Sequence, residues 1–224
     1  MDRLSDVDEV LRVQELRNRF LRYTREAYAL LPVIDHLRIL DIGCGSGSVA
    51  IELVRLSGSD VVAIDTDPSA LAKMRRRLEA DGIDNCVAVV NASLFDVDLA
   101  DESFDLLWEE GVLHLLDRMN SLRVCHRLLR PERFLVMHES VAWFEQTRHA
   151  LRRVGFTFFN QLLLPRRSWW TDYYEPLEAR IRVFRQTRSA GPGSERLAQH
   201  EREIAMVKAD PERFDSGFFI LQRS

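Results

Sequence analysis

The chain has 224 residues, a length that suits one ordinary α/β domain with a small elaboration, and its 46% apolar content is what a packed core requires. Disorder and disulfide scaffolds are therefore excluded as first readings. With 31 basic residues against 35 acidic ones the net charge is −4, so no overall positive field exists to hold a phosphate backbone, and generic nucleic-acid binding loses ground. Cys44, Cys86 and Cys125 are widely spaced, odd in number and never form a Cys-x-x-Cys pair. That pattern fits free thiols in a reducing compartment, read here as the cytoplasm, with no bound metal. The opening residues lack the charged end and apolar stretch of a signal peptide. No apolar run approaches the roughly 18 residues of a membrane span, so no membrane partner is expected.

Apolar positions from Val10 to Leu30 recur at helical spacing and Pro32 stops them, which predicts one leading helix over Val7 to Leu31. Arg38 to Ile42 reads as a short strand running into a glycine-dense turn, followed by an apolar helix through Val49 and Leu56. Asp60 to Ile64 is a second buried strand. Asp67 and Pro68 then supply the N-cap and first-turn proline of a helix through Leu78, ended by Gly82. Three more apolar runs, Cys86–Val90, Phe104–Trp108 and Phe134–Met137, predict strands, with a helix around Ser121 to Leu129 before the last. A helix near Phe144 to Val154, a run at Phe156–Phe159, a helix containing Leu177, Ile181 and Phe184, and a final strand Phe218–Leu221 complete the pattern. Strand–helix alternation of this kind predicts a doubly wound, mostly parallel sheet. The stretch Ser189 to Ser194 reads as a surface joint between two helices, too short to separate domains.

Chemistry concentrates at Asp41-Ile42-Gly43-Cys44-Gly45-Ser46-Gly47, between a strand and a helix, where glycines let the backbone approach a ligand and the helix start presents free N–H groups. Asp65 closes the next strand, the place from which a carboxylate accepts both hydroxyls of an adenosine ribose. Gly45-x-Gly47-x-x-Ala50 also satisfies the dinucleotide pattern, but Asp41 sets a carboxylate just ahead of the glycines and the turn itself holds no Arg or Lys. A pyrophosphate would meet repulsion there. An ammonium group on a sulfonium-bearing adenosine would be welcome.

Ile39 to Gly47, with Ala63-Ile64-Asp65 and Ser103-Phe104-Asp105-Leu106-Leu107, resembles the core of class I S-adenosylmethionine-dependent methyltransferases. Trp108-Glu109-Glu110-Gly111 and Leu164-Pro165-x-x-x-Trp169-Trp170-x-x-Tyr173-Tyr174-x-Pro176 extend the likeness to a group of bacterial and archaeal small-molecule methyltransferases. The resemblance implies a seven-stranded Rossmann-like sheet with an antiparallel last strand. It implies one domain over 1–224: a helical cover over 1–35, a cofactor-binding core over 36–140 and an acceptor-side, sheet-completing part over 141–224. The implied cofactor is S-adenosyl-L-methionine, with S-adenosyl-L-homocysteine as product. Asp41, Gly43, Cys44, Gly45 and Gly47 would surround its methionine part, Asp65 would hold the ribose, and Thr66, Asn91 and Ala92 would lie by the adenine. Glu109 would serve either the cofactor or catalysis.

Such an enzyme mainly aligns an acceptor for in-line displacement and needs a base only for acceptors that carry a proton. Glu110, His114 and Glu109 are the acceptor-side catalytic candidates, and His138 and Glu139 lie at a neighbouring strand end. His114 reads more readily as a packed structural histidine than as a base, and Glu110 is evenly balanced. Glu139, Trp169, Trp170, Tyr173 and Tyr174 are candidate walls of an acceptor pocket, with aromatic core packing slightly ahead for the last four. The expected partner is a small-molecule acceptor, without nucleic acid, and a homodimer is left open. The rival readings are a nicotinamide-dependent oxidoreductase, a non-catalytic S-adenosylmethionine-binding protein, and a protein or RNA methyltransferase.

Overall fold

A computed structural model of the protein describes residues 7–187 and 194–224. They fall into two compact units, one within Met1–Arg22 and Leu164–Asp215, the other formed by Tyr23–Leu163 and Ser216–Ser224. The predicted joint at Ser189 to Ser194 lies, apart from the backbone of Ser194, outside the described residues.

In chain order the elements are α1 (Val7–Val10), α2 (Val13–Asn18), α3 (Leu21–Tyr28), β1 (Ile39–Ile42), α4 (Ser48–Ser57), β2 (Val61–Asp65), α5 (Pro68–Asp81), β3 (Val87–Asn91), β4 (Phe104–Glu110), α6 (Arg118–Leu128), β5 (Leu129–Ser140), α7 (Val141–Val154), β6 (Phe156–Leu163), α8 (Glu175–Thr187), α9 (Ser194–Ala209) and β7 (Ser216–Arg223). The sheet order is β3-β2-β1-β4-β5-β7-β6. Pairing from β3 to β5 is parallel, and β7 runs antiparallel between β5 and β6. The expected mostly parallel seven-stranded sheet with an antiparallel last strand is therefore present. Chain order reverses between β1 and β4, and in such sheets the crevice beyond the carboxyl ends at that point is where ligands bind.

Strand alternation decides which residues share a face. Leu40, Ile42, Leu107, Leu135, Met137, Phe219 and Leu221 pack with Leu122, Cys125 and Leu128 of α6 and Phe144 and Leu151 of α7. On the opposite face Asp41 stands beside Trp108 and Glu110 beside His138. Glu109 and Glu139 thus continue the α6–α7 face, while Asp41 and Glu110 lie on the other.

Three sequence expectations are corrected. The leading helix is three short ones: Arg12 takes φ +52 between α1 and α2, and the guanidinium of Arg180 donates to the carbonyls of Leu11 and Arg12. Carbonyls at a helix end need such partners, and this one comes from far along the chain. Leu129 begins β5 rather than ending the preceding helix, and β5 runs back through Pro131-Glu132-Arg133, with Glu132 at φ +63. The run at Phe156–Phe159 extends to Leu163 because β7 pairs along its length.

Candidate active site

The glycine turn leaves β1 and enters α4 through Gly43, Gly45 and Gly47, all with positive φ. The N–H groups of Gly43 and Cys44 both donate to the Ile64 carbonyl, which ties the turn to β2. A Cβ on Gly43 would come within 2.2 Å of Val112 Cγ2, whereas one on Gly45 would meet nothing within 4 Å. Gly43 is therefore a packing requirement, and the space beside Gly45 is open to a ligand. Asp65 receives the N–H of Gly45 on Oδ2 and that of Asp67 on Oδ1, each at 2.8 Å. Asn91 Nδ2 and the Ala92 N–H both donate to the Asp65 carbonyl, so these residues gather around the end of β2. Thr66 follows Asp65 directly in the chain.

Asp41 is buried and its Oδ2 has no hydrogen-bond partner. Burial, then the charges of Glu110 and Asp65, push its carboxyl well above the usual range. An unmet buried acceptor among carboxylates calls for a donor, ideally a cationic one. The Cys44 thiol, held up mainly by burial and 3.7 Å from Met74 Sδ, is a packed filler of the turn. Although the turn itself contains no basic residue, the fold brings one to it: Arg77 of α5 donates to the Ser46 carbonyl and to Ser48 Oγ.

At the ends of β4 and β5 two separate constructions appear. Glu110 Oε1 accepts from Trp108 Nε1 at 2.9 Å and from Thr24 Oγ1 of α3 at 2.8 Å, while burial lifts its pKa to about 7. Glu109, on the other face, is fully buried, and its Oε2 accepts the N–H groups of Val112 and Leu113. Its Oε1 is unpartnered, and burial followed by the charge of Glu139 pushes the group well up. Glu139 takes the next N–H, that of His114, at 3.0 Å, and also receives the His114 ring through Nδ1 at 3.0 Å. Three successive N–H groups of the turn after β4 are thus held by two buried carboxylates. The His114 side chain remains 43% exposed, and its bond to Glu139 raises its pKa. His138, also a candidate base, is buried against Phe218 and bonded to Ser216, and burial drives its pKa down to about 4. It is a packed, neutral ring.

Trp169, Trp170, Tyr173 and Tyr174 belong to the other unit, where Trp169–Tyr174 forms a π-helix, a rare form. Trp169 stacks on Phe20 at 4.4 Å and meets Tyr173 edge-on, while Tyr173 is buried against Tyr174. Trp170 lies instead beneath Lys208, which also pairs with Glu178. In the same unit Asp8 joins α1 to α9 through Arg196 and the buried His200. Sequence reading did not find Thr24, whose partner lies 86 residues away, nor Val112 as the wall behind Gly43. The link between Trp108 and Glu110 was available from strand alternation, since the two stand two residues apart in β4. Among the described residues no group of His, Cys, Asp and Glu is arranged to hold a metal ion, and no helix is long and apolar enough to cross a membrane.

Residues 39–132 match the methyltransferase domain family model. Similar proteins include the methyltransferase GfsG of Streptomyces halstedii, 33% identical over 111 residues, 49% of this chain and 40% of that protein. A ubiquinone biosynthesis O-methyltransferase of Methylocella silvestris is 36% identical over 123 residues, 53% of this chain and 46% of that one. The chain spans about half the length of the curated relatives it matches. Among solved structures, an S-adenosylmethionine-dependent methyltransferase of Thiobacillus denitrificans superposes over 100% of both chains with TM-score 0.73 and 18% identity. The [4+2]-cyclase SpnF matches over 90% of this chain and 80% of that one, with TM-score 0.77 and 16% identity. Residues 39–132, which hold the glycine turn and Asp65, are thus similar to a methyltransferase domain, and the whole sheet has the fold of the solved methyltransferase structures.

Proposed function

We propose that the protein transfers a methyl group from S-adenosyl-L-methionine to a small-molecule acceptor. The observation that carries this reading is the pairing of an unmet buried oxygen, Asp41 Oδ2, with open space at Gly45. A ligand filling that space and bearing an ammonium group satisfies the carboxylate, whereas a pyrophosphate would face Asp41, Asp65 and Glu110 together. The residues fit the cofactor: Asp41 receives the ammonium, Gly43 to Gly47 shape the approach, Asp65 accepts from the ribose, and Thr66, Asn91 and Ala92 border the adenine. When bound, the cofactor supplies an electrophilic methyl group on a sulfonium sulfur. The chain's own task is to place the acceptor in line and to keep competing water away. Glu110, tied to Trp108 and Thr24, is fixed beside Asp41 on the cofactor side.

A cyclase shares this fold, so methyl transfer has to be tested separately from binding. Calorimetric titration with S-adenosylmethionine, S-adenosylhomocysteine and a nicotinamide dinucleotide decides the cofactor. Micromolar binding of the first two is expected, about −8 kcal/mol. Binding of the dinucleotide alone refutes the reading. Methyl-labelled cofactor incubated with pooled amines, phenols and carboxylates then reports transfer. Labelled cofactor bound but never turned over would leave a binding protein.

A further inference from the structure

We propose that Arg77 is a positioning residue for the amino-acid end of the cofactor, acting through the glycine turn, so that the site selects the whole cofactor over nucleosides that lack this end. The proposal deepens the methyltransferase reading and rests on it.

Arg77 lies in α5, and its Nη1 donates to the Ser46 carbonyl at 2.8 Å and to Ser48 Oγ at 3.0 Å, acceptors that stand 31 and 29 residues earlier in the chain. The side chain is half-buried, and burial pulls its pKa down. A guanidinium drawn out of water is costly unless its donors are used. The obvious partner on its own helix is Asp81, four residues on, a spacing at which helical side chains meet. Asp81 instead pairs with Arg55 of α4 at 2.8 Å. Arg77 therefore makes no ion pair among the described residues, and its hydrogen bonds go to the turn. Met74, three residues before Arg77 and on the same side of α5, packs behind the same turn. A Cβ on Gly47 would come within 2.5 Å of Met74 Cγ, and Cys44 Sγ lies 3.7 Å from Met74 Sδ.

The strands fix the N–H groups of the turn. The Ile64 carbonyl holds those of Gly43 and Cys44, Asp65 holds that of Gly45, and the Cys44 carbonyl holds that of Gly47. Arg77 supplies what those bonds do not, a donor to a carbonyl. The Ser46–Gly47 peptide is thereby held at both ends, in a stretch where glycine at 43, 45 and 47 leaves the backbone freest to turn. This peptide joins Gly45, where the space is open, to the start of α4, which has no side-chain cap. Asp41 reaches the same helix start and accepts the Ala50 N–H. A ligand whose ammonium meets Asp41 therefore has its amino-acid end against this turn. That end is a zwitterion, and its carboxylate must sit near Asp41 and Asp65. The start of α4 and the guanidinium behind Ser46 set a positive field against that repulsion. The nucleoside end goes to Asp65, Thr66, Asn91 and Ala92, and Arg77 bonds to none of them.

Calorimetry with two ligands separates the two ends. S-adenosylhomocysteine carries the amino-acid part, whereas 5′-methylthioadenosine keeps the nucleoside and the thioether sulfur and lacks it. The wild-type protein should bind the first about tenfold or more tightly than the second. Arg77→Met keeps an apolar stem and removes the charge and the donors. It should weaken S-adenosylhomocysteine about 10- to 30-fold, the range for lost hydrogen bonds to a charged group, and leave methylthioadenosine within about twofold. Arg77→Lys, which restores the charge and a donor without the planar fork, should return S-adenosylhomocysteine to within about fivefold of wild type. Equal weakening of both ligands by Arg77→Met means that Arg77 only supports the fold, and it overturns the proposal. Unchanged S-adenosylhomocysteine affinity does the same. Should Arg77→Met fail to fold, Arg77→Gln, with a neutral donor, decides on the same ratio. A loss of about threefold or more confined to S-adenosylhomocysteine supports the assignment, and an equal loss or none overturns it. A wild-type protein that binds both ligands equally refutes this proposal alone. One that binds neither refutes the methyltransferase reading itself.

Discussion

The carboxyl ends of β1 and β2 and those of β4 and β5 carry the same kind of side chain in different surroundings. At β1 and β2, Asp41 keeps an oxygen unmet, and Asp65, which holds the Gly45 and Asp67 N–H groups, stands on the rim of an open glycine turn. At β4 and β5, Glu109 and Glu139 hold three successive N–H groups of the following turn, and Glu109 also keeps an oxygen unmet. Both regions bind their own backbone, and the first also borders open space. A row of acids on a strand edge therefore does not identify which acid meets a ligand. The room beside it does.

Substitutions should separate the two regions. Glu109→Ala leaves the Val112 and Leu113 N–H groups buried without an acceptor, at about 1–3 kcal/mol each, so a stability loss of about 2–6 kcal/mol is expected in urea unfolding. A loss below about 1 kcal/mol would mean that the turn re-forms without it. Gly43→Ala drives a methyl group into Val112 at a positive φ and should cost about 2–4 kcal/mol of stability. Gly45→Ala carries only the backbone strain, about 1–2 kcal/mol, yet fills the open space and should weaken S-adenosylhomocysteine at least tenfold. Equal stability and binding losses at the two glycines would erase the distinction. Asp65→Ala should lower cofactor affinity by about 1–3 kcal/mol, read by calorimetry.

The smallest effect is a slope. Burial raises Glu110 from 4.5 to about 7, so the folded state binds its proton more tightly than the unfolded state. The contribution of Glu110 to stability without ligand is then greatest below about 4.5 and is lost as the pH rises through about 7. Asp41 acts with the same sign. Thermal melting across that range should flatten in Glu110→Gln, and an unchanged slope would remove Glu110 from the titrating set.

Much of the fold was legible because local signals agreed with it. Asp67 caps α5 through the Ser69 N–H, Gly82 ends that helix in the left-handed region, and Val61–Asp65 is nearly the strand that the apolar run predicts. What was missed depends on partners distant in sequence. The break at Arg12 is stabilised by Arg180, and the early start of β5 at Leu129 pairs it with Phe104 of β4. The π-helix at Trp169–Tyr174 carries no signal that separates it from an ordinary turn of helix. In the site, the strand–turn–helix that carries Asp41 and the glycines, and the placing of Asp65 at the end of the next strand, were readable in the sequence. The sequence reading kept Glu109 and Glu110 together, whereas alternation along β4 puts them on opposite faces. The Glu139–His114 pair did not, because it joins residues 25 apart on different elements.

The position of β7 has a consequence during synthesis. It slots between β5 and β6, and among the described residues β6 has no other neighbour in the sheet. Residues 164–215 must leave the ribosome before Ser216 follows, which at about 5–20 residues per second takes roughly 3–10 s. Throughout that interval β5 and β6 each present an unpaired edge, and β6 still displays Phe158, Phe159 and Leu163 half-exposed once folded. The nascent chain is then at its most vulnerable to wrong strand pairing, at an edge that the finished sheet hides.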